Sequence, residues 1–447
     1  MDRTRLDQAS SRVGEAACLL FLFSAPLSIA LNNIALAVVG PAAFLFLLTS
    51  GKADAWRGLA PRGSLSTGIA FTLITTASAI LAEDRTQAFT HLLLAPLVVM
   101  VPLAFMPFAK SPMIKRYWTI ILPLGIAAGL FVMSIKGANP TTKFPRYHPS
   151  MGIMNYGGAM ALLFPFILGN LIAASANGER KREWLLSLAI AGATLGALFN
   201  GTRIVWLSIT VTTLFLILVN LRSITWRLGS ITLILIAGVT IFFFLNPLYN
   251  DRLTSISPWF HTRVQQADQA PTPSSADANE HLARLRSSLM QANARSNNTR
   301  ILLWRKAMDR LPDIPILGYG PGCCPEPILT EADRQPGMKP PLGGNYHNTF
   351  LNVALETGFP GLAALLALLA PSLILAMRNL RSPDPERRHQ SRILLALLLT
   401  FCLHAMTDHL FRIKTTLQLF GFLVVLCWAY LRNPEETVTS LPQGNQE

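Results

Sequence analysis

The residues best suited to chemistry cluster in YHNTFLNVALETGFPG, positions 346–361 of the 447-residue chain. His347 and Asn348 stand side by side, and Glu356 follows shortly before Gly358 and Gly361. An unperturbed imidazole titrates near pH 6.5, so His347 is a candidate general base. It reads equally as a helix-start histidine making a structural hydrogen bond. Asn348 suits a helix cap or first turn ahead of a role in orienting a ring or hydroxyl. Glu356 is expected to be a structural partner for an arginine or histidine rather than a catalyst.

Two arginines stand out as anion sites. In ALFNGTRIVWLSIT only Gly201 and Thr202 intervene between one apolar run and Arg203, which opens the next. An arginine so placed costs free energy unless it snorkels or meets an anion. Arg300 follows SNNT, where Asn298 or Thr299 would cap a helix. Free N–H groups and the dipole at a helix start favour negative ligands, and a guanidinium fork suits phosphate. Arg305, Lys306 and Arg310 fit the solvated face of that helix. Arg146 and His148, Asp84 and Arg85, and Asp408 and His409 form weaker pairs, read as structural. GYGPG at 318–322 lacks the Lys-Ser/Thr ending of a phosphate loop and is read as a turn. Of five cysteines, Cys18, Cys402 and Cys427 fall in apolar runs, and Cys323 and Cys324 adjoin without metal-ligand spacing. No metal site and no cofactor are expected.

The elements that position these residues are membrane helices. The chain is 51% hydrophobic and only 14% charged, against about 25% charged for a soluble protein; its mean hydropathy is +0.39. Apolar runs cover 15–31, 33–49, 64–82, 89–108, 118–136, 151–174, 184–200, 204–220, 229–247, 359–377, 393–409 and 414–431. The expectation is an all-α polytopic membrane protein with about 12 transmembrane helices. The N-terminal run has no evident cleavage site and reads as a first span.

Twelve spans place both termini on one side. Taking that side as cytoplasmic, the inner segments hold most cations, including Lys110, Lys115, Arg180, Lys181, Arg182, Arg387, Arg388 and Arg432. Short outer connections hold far fewer, as the positive-inside rule demands. The organisation expected is therefore 1–247 as helices 1–9, 248–358 as a periplasmic loop region with short helices, 359–431 as helices 10–12, and 432–447 as a cytoplasmic tail. Loops beyond roughly 15 residues are usually functional or disordered. Within this one, 268–279 is rich in Pro and Ser and has no assigned role. Leu282, Leu285 and Leu289 recur at helical spacing, as do Ile301, Trp304, Met308 and Leu311.

The opening stretch is too long for one span. The run 359–377 is nearly sufficient to cross a bilayer alone, so 347–357 is expected to be a separate short helix at the outer surface. Gly358, Pro360 and Gly361 mark the break, and His347 faces the outer leaflet.

With these motifs in order, the chain resembles the O-antigen ligase and polymerase superfamily. The carrying pattern is His347-Asn348 followed by Gly358 and Gly361 after a long outer loop. NGTRIVWL resembles the family's outer arginine motif, and NTRILLWRKAM with PILGYGPG resembles its Arg-x3-Trp segment and glycine-rich turn. MGIMNYGGAMALLFPFIL resembles its Asn-containing helix. The resemblance covers about residues 140–410. It implies a GT-C-like, metal-independent, inverting glycosyltransferase of the bacterial inner membrane, with a large, partly helical periplasmic loop and a periplasmic active site. The donor would be a glycan on undecaprenyl diphosphate and the acceptor lipid A-core, with membrane lipids around it and no nucleic acid. In this reading Arg203 and Arg300 hold the diphosphate and His347 is the base, with Asn348, Arg146, Glu356 and Asp408 in support. A polymerase sharing donor and topology is the nearest alternative; an O-linked protein oligosaccharyltransferase or a 12-span transporter is more distant. The chain shows neither the two related halves nor the acidic relays expected of a transporter.

Overall fold

A computed structural model describes residues 3–50, 60–92, 94–137, 153–221, 299–324 and 345–432. No strand occurs among them. The helices are α1 (Arg3–Ser24), α2 (Ile29–Ser50), α3 (Ser64–Leu81), α4 (Arg85–Leu92), α5 (Leu94–Phe105), α6 (Pro112–Gly137), α7 (Ile153–Ala176), α8 (Arg180–Asn200), α9 (Arg203–Asn220), α10 (299–310), α11 (Thr349–Asn379), α12 (Pro385–Ala405) and α13 (Lys414–Leu431). Eight of these described helices, α2, α3, α6 to α9, α11 and α13, are long and apolar enough to cross a membrane. The chain is thus a polytopic all-α membrane protein. Arg146, His148, the run 229–247, the stretch 268–279 and the leucines of 282–289 lie outside the described residues.

Three boundaries differ from the apolar runs. The first run, 15–31, is cut by a turn at 25–28, where Pro26 disfavours helix in the residue before it. Its last residues begin α2, and α1 and α2 pair as a hairpin. The run 89–108 is divided between α4, α5 and a 3-10 turn at Met106–Phe108. The run 393–409 covers the later part of α12, which starts eight residues earlier, and the four residues after it. Asp384 caps it by accepting from the Glu386 amide at 2.9 Å, with Pro385 in the first turn. Because α12 ends at Ala405, residues 406–413 with Asp408 belong to a connection, not to a span.

Helices α7 and α13 form the centre, with 89% of each apolar window buried against 28–44% for the other six. Around them, α12 packs on α7, α9, α11 and α13. The outer faces of the surrounding helices present large apolar side chains, such as Leu73, Phe131, Leu188 and Leu218, which suits lipid contact. Near one end of the core, Phe105 meets Phe422 edge-on at 4.5 Å and Phe21 at 4.9 Å.

Helix α11 breaks at Gly358, whose backbone (φ 69°, ψ −177°) is open only to glycine. A Cβ there would collide with the Ile316 carbonyl oxygen. Pro360 has no N–H, so the Glu356 carbonyl loses its helical donor. Residues from other segments replace it: the Gly320 amide donates to Glu356 at 2.9 Å and the Ser78 hydroxyl at 2.7 Å, while the Tyr319 amide donates to Leu355 at 2.9 Å. The glycine-rich turn is thereby built into the break. The piece 349–357 is a short helix ahead of the apolar helix 359–379. Its first turn starts at Thr349, two residues later than the spacing suggests, since Asn348 is extended and caps it.

Candidate active site

The site is assembled at the end of the bundle where α12 finishes and α13 begins. The Asn348 side-chain oxygen accepts from the Leu351 amide at 3.1 Å, so Asn348 is a helix cap. Thr349, fully buried, then reaches across to the 406–413 connection. Its hydroxyl donates to the Asp408 carbonyl at 2.7 Å and accepts from the Leu410 amide at 2.9 Å. This pair of bonds lays Asp408 beside His347.

His347 Nδ1 lies 3.5 Å from Asp408 Oδ1, an ion-pair distance longer than a hydrogen bond. The histidine side chain is 37% exposed and the aspartate 9%. Burial alone would raise the Asp408 pKa. The contact with His347, the His409 amide at 2.9 Å, and the charges of His347 and Arg300 outweigh it and hold the carboxyl below its usual value. The carboxylate lies on the Nδ1 side of the ring, so Nε2 is directed away from it.

The backbone of His347 is itself unusual. Its φ is +49°, the left-handed region, and no other non-glycine among the described residues has a positive φ. Such a conformation costs roughly 1–2 kcal/mol and persists where neighbours impose it. Here Asn345 accepts from the His347 amide at 2.9 Å, and buried Asn352 accepts from the Tyr346 amide at 3.3 Å while donating to the Asn348 carbonyl at 2.7 Å.

Helix α10 is moored on the same turn. Trp304 Nε1 donates to the Tyr346 carbonyl at 3.0 Å, and Leu303, Ala307, Cys324, Tyr346 and Leu355 pack together. Arg300 is one helical turn before Trp304 and so shares its face; its charge reaches Asp408. The Arg-x3-Trp spacing is thus an anchor and a charge on one side of one helix. The expected cap residue Asn298 lies outside the described residues.

Arg203 is the first residue of α9, after Gly201 closes α8 in the left-handed conformation (φ 65°). A side chain on Gly157 would strike Asn200 and Val205, and the Asn155 carbonyl accepts from Thr416 at 3.5 Å. These contacts put Arg203 at the same end of the bundle as the 406–413 connection. A cation at a helix start opposes the dipole, so two positive features coincide there.

Glu356 is buried, and its backbone and side chain tie segments together: Cys324 Sγ lies 3.8 Å from Oε1. Asp84 caps α4 through the Gln87 amide at 2.9 Å, and Gln87 donates to the Gly322 carbonyl at 2.6 Å. A cavity lies between Glu356, Thr75, His91, His409, Phe71 and Phe411. Thr349, Asn345 and Asn352 carried no signal in the sequence, because their partners come from folding. Among the described residues no group of three or more His, Cys, Asp or Glu converges as metal ligands would.

Residues 186–366 match the family model described as O-Antigen ligase. That stretch, less than half of the chain, is similar to the O-antigen ligase family. No curated protein matches the chain. The O-antigen ligase match includes Arg203, Arg300, His347 and Asn348 and stops before α12. Asp408, which touches His347, therefore lies beyond the matched stretch. The resemblance of the motifs to the O-antigen ligase and polymerase superfamily is borne out over these residues, and with it a general activity in glycan ligation or polymerisation.

Proposed function

We propose that the protein is an O-antigen ligase, transferring a glycan from undecaprenyl diphosphate to a sugar hydroxyl of lipid A-core on the periplasmic face of the inner membrane. The observation that carries this reading is a buried, charged Asp408 beside the ring of His347, whose backbone is strained, within reach of the Arg300 charge. The acceptor hydroxyl gives its proton to His347 Nε2 as its oxygen bonds to the anomeric carbon. The bond from that carbon to the phosphate oxygen breaks on the opposite face, and undecaprenyl diphosphate leaves with the electron pair. In-line attack inverts the anomeric centre. Arg300 and Arg203 stabilise the charge growing on the leaving diphosphate, the task a divalent cation performs elsewhere. Asp408 stabilises the imidazolium as it forms.

Purified protein given the lipid-linked donor and lipid A-core should transfer glycan without ATP and in the presence of chelator. No transfer with active donor and acceptor would refute the reading. Transfer only onto a second donor-linked glycan would identify a polymerase, which shares the domain and this chemistry.

A further inference from the structure

Among the described residues no large apolar side chain is more exposed than Ile316, at 82%. It stands in the segment that joins α10 to the glycine-rich turn. Ile314, two residues earlier, packs against the cluster of Leu303, Ala307 and Leu355. The two isoleucines of PDIPILGYG therefore meet different surroundings. A single exposed isoleucine is ordinary on a water-facing surface. What sets Ile316 apart is the level at which its turn is fixed.

The Gly318 amide donates to the Pro315 carbonyl at 2.8 Å and closes the turn. The Tyr319 and Gly320 amides bind the Leu355 and Glu356 carbonyls, and the Ile316 carbonyl lies against Gly358. Ile316 is thereby held level with the start of the apolar helix 359–379, beside the residue that precedes Phe359. Phe359 heads a row of exposed side chains at helical spacing, with Leu366, Leu373 and Met377 after it. This row belongs to the lipid-facing surface of the bundle. From α3, the Ser78 hydroxyl binds the same Glu356 carbonyl. The exposed Ile80 and Leu81 continue α3 past Ser78, about 3–5 Å nearer the end of the bundle. The first charges after α3 are the exposed Glu83 and Asp84. On the adjoining helix, apolar surface therefore runs past the level of Ile316 before charge begins.

We propose that the turn 315–318 is a membrane anchor, with the Ile316 side chain inserted among lipid acyl chains at the edge of the bilayer. Continuity with the lipid-facing rows of α3 and α11 favours bilayer lipid over a protein partner. The backbone of the turn stays at the polar interface, where water and headgroups serve its polar groups. Pro315, also exposed, brings no N–H to satisfy. The anchor ties the segment after α10, the helix that bears Arg300, to the membrane as well as to α11.

The test is spin-label depth measurement on the full chain, one copy per nanodisc of phosphatidylethanolamine and phosphatidylglycerol. Labels go on Ile316→Cys, on Leu366→Cys as the apolar reference and on Asp309→Cys, exposed on α10, as the aqueous one. The partly exposed Cys323 and Cys402 are replaced by serine. Collision with oxygen should exceed collision with a nickel chelate at Ile316, as at Leu366, and the order should reverse at Asp309. An Ile316 label that behaves like the Asp309 label overturns the proposal. Ile316→Trp keeps the test open if the labelled variant does not fold. Its added emission should be quenched by lipids brominated on the acyl chain, and unquenched emission equally overturns the anchor. An apolar signal that arises only after undecaprenyl phosphate is added would make the polyprenyl chain the occupant and overturn the assignment to bilayer lipid. All readouts report depth, so they stand apart from whether the transfer reaction is assigned correctly.

Discussion

The two ends of the bundle use charge in opposite ways. At the His347 end the groups placed in the site are each set by a neighbour: Thr349 sets Asp408, Asp408 lies beside His347, and Trp304 anchors the helix of Arg300. At the Lys110 end the cations are mostly half-exposed, and their ties include two backbone carbonyls, one ring and one carboxylate. The difference teaches that the amount of charge does not mark the reactive end. Positional restraint does, because chemistry needs a group within tenths of an ångström, whereas a surface potential tolerates looser placement.

Substitutions should separate the ends. His347→Ala should lower transfer by roughly a thousandfold with the fold retained, as measured by initial rates beside thermal unfolding. His347→Gly sharpens this further. It removes the left-handed strain, so it should be more stable than His347→Ala by about 1 kcal/mol while activity is still lost. A wild-type rate in either variant removes His347 from the mechanism.

Asp408→Asn should cost about a hundredfold without weakening donor affinity, since it acts through His347. Its stability effect has a definite sign. A carboxyl whose folded pKa is depressed stabilises fully above its unfolded value of about 3.9 and loses that contribution as pH falls through the folded value. The gap in unfolding midpoint between wild type and Asp408→Asn should therefore close in acid. A gap that widened on acidification would contradict a charged Asp408.

Arg300→Lys and Arg203→Lys should each reduce donor use by roughly tenfold, because an ammonium lacks the bidentate fork. Donor titrations would show this as a raised KM. Gly358→Ala should lose more than about 1 kcal/mol of stability from the collision with Ile316, read as a lowered unfolding midpoint. Lys115→Gln, at the far end, should leave kcat unchanged. A fall like that of the outer arginines would mean the two ends are not separate in function.

Much of this arrangement was legible in the chain. The length of the run after Phe359 and the cluster Gly358-Pro360-Gly361 located the break in α11, since bilayer thickness and the missing proline donor are properties of sequence. Asn348 as a cap was legible for the same local reason. The partnership of His347 with Asp408 was not. It passes through two intervening helices and rests on the Thr349 hydroxyl, a residue with no distinguishing neighbour. Asp408 also fell inside an apolar run, and only the end of α12 at Ala405 placed it in a connection. Lys110 looked like any inner-loop lysine, because its bond to the end of α13 has no signature along the chain.

The break at Gly358 also sets how the outer segment transmits force. Residues 316–320 meet α11 through the Leu355 and Glu356 carbonyls, two backbone bonds at 2.9 Å. A pull on the segment that follows α10 reaches the membrane helix there directly, without travelling along the chain to residue 349. The segment 311–320 is distant from α11 along the chain but joined to it directly.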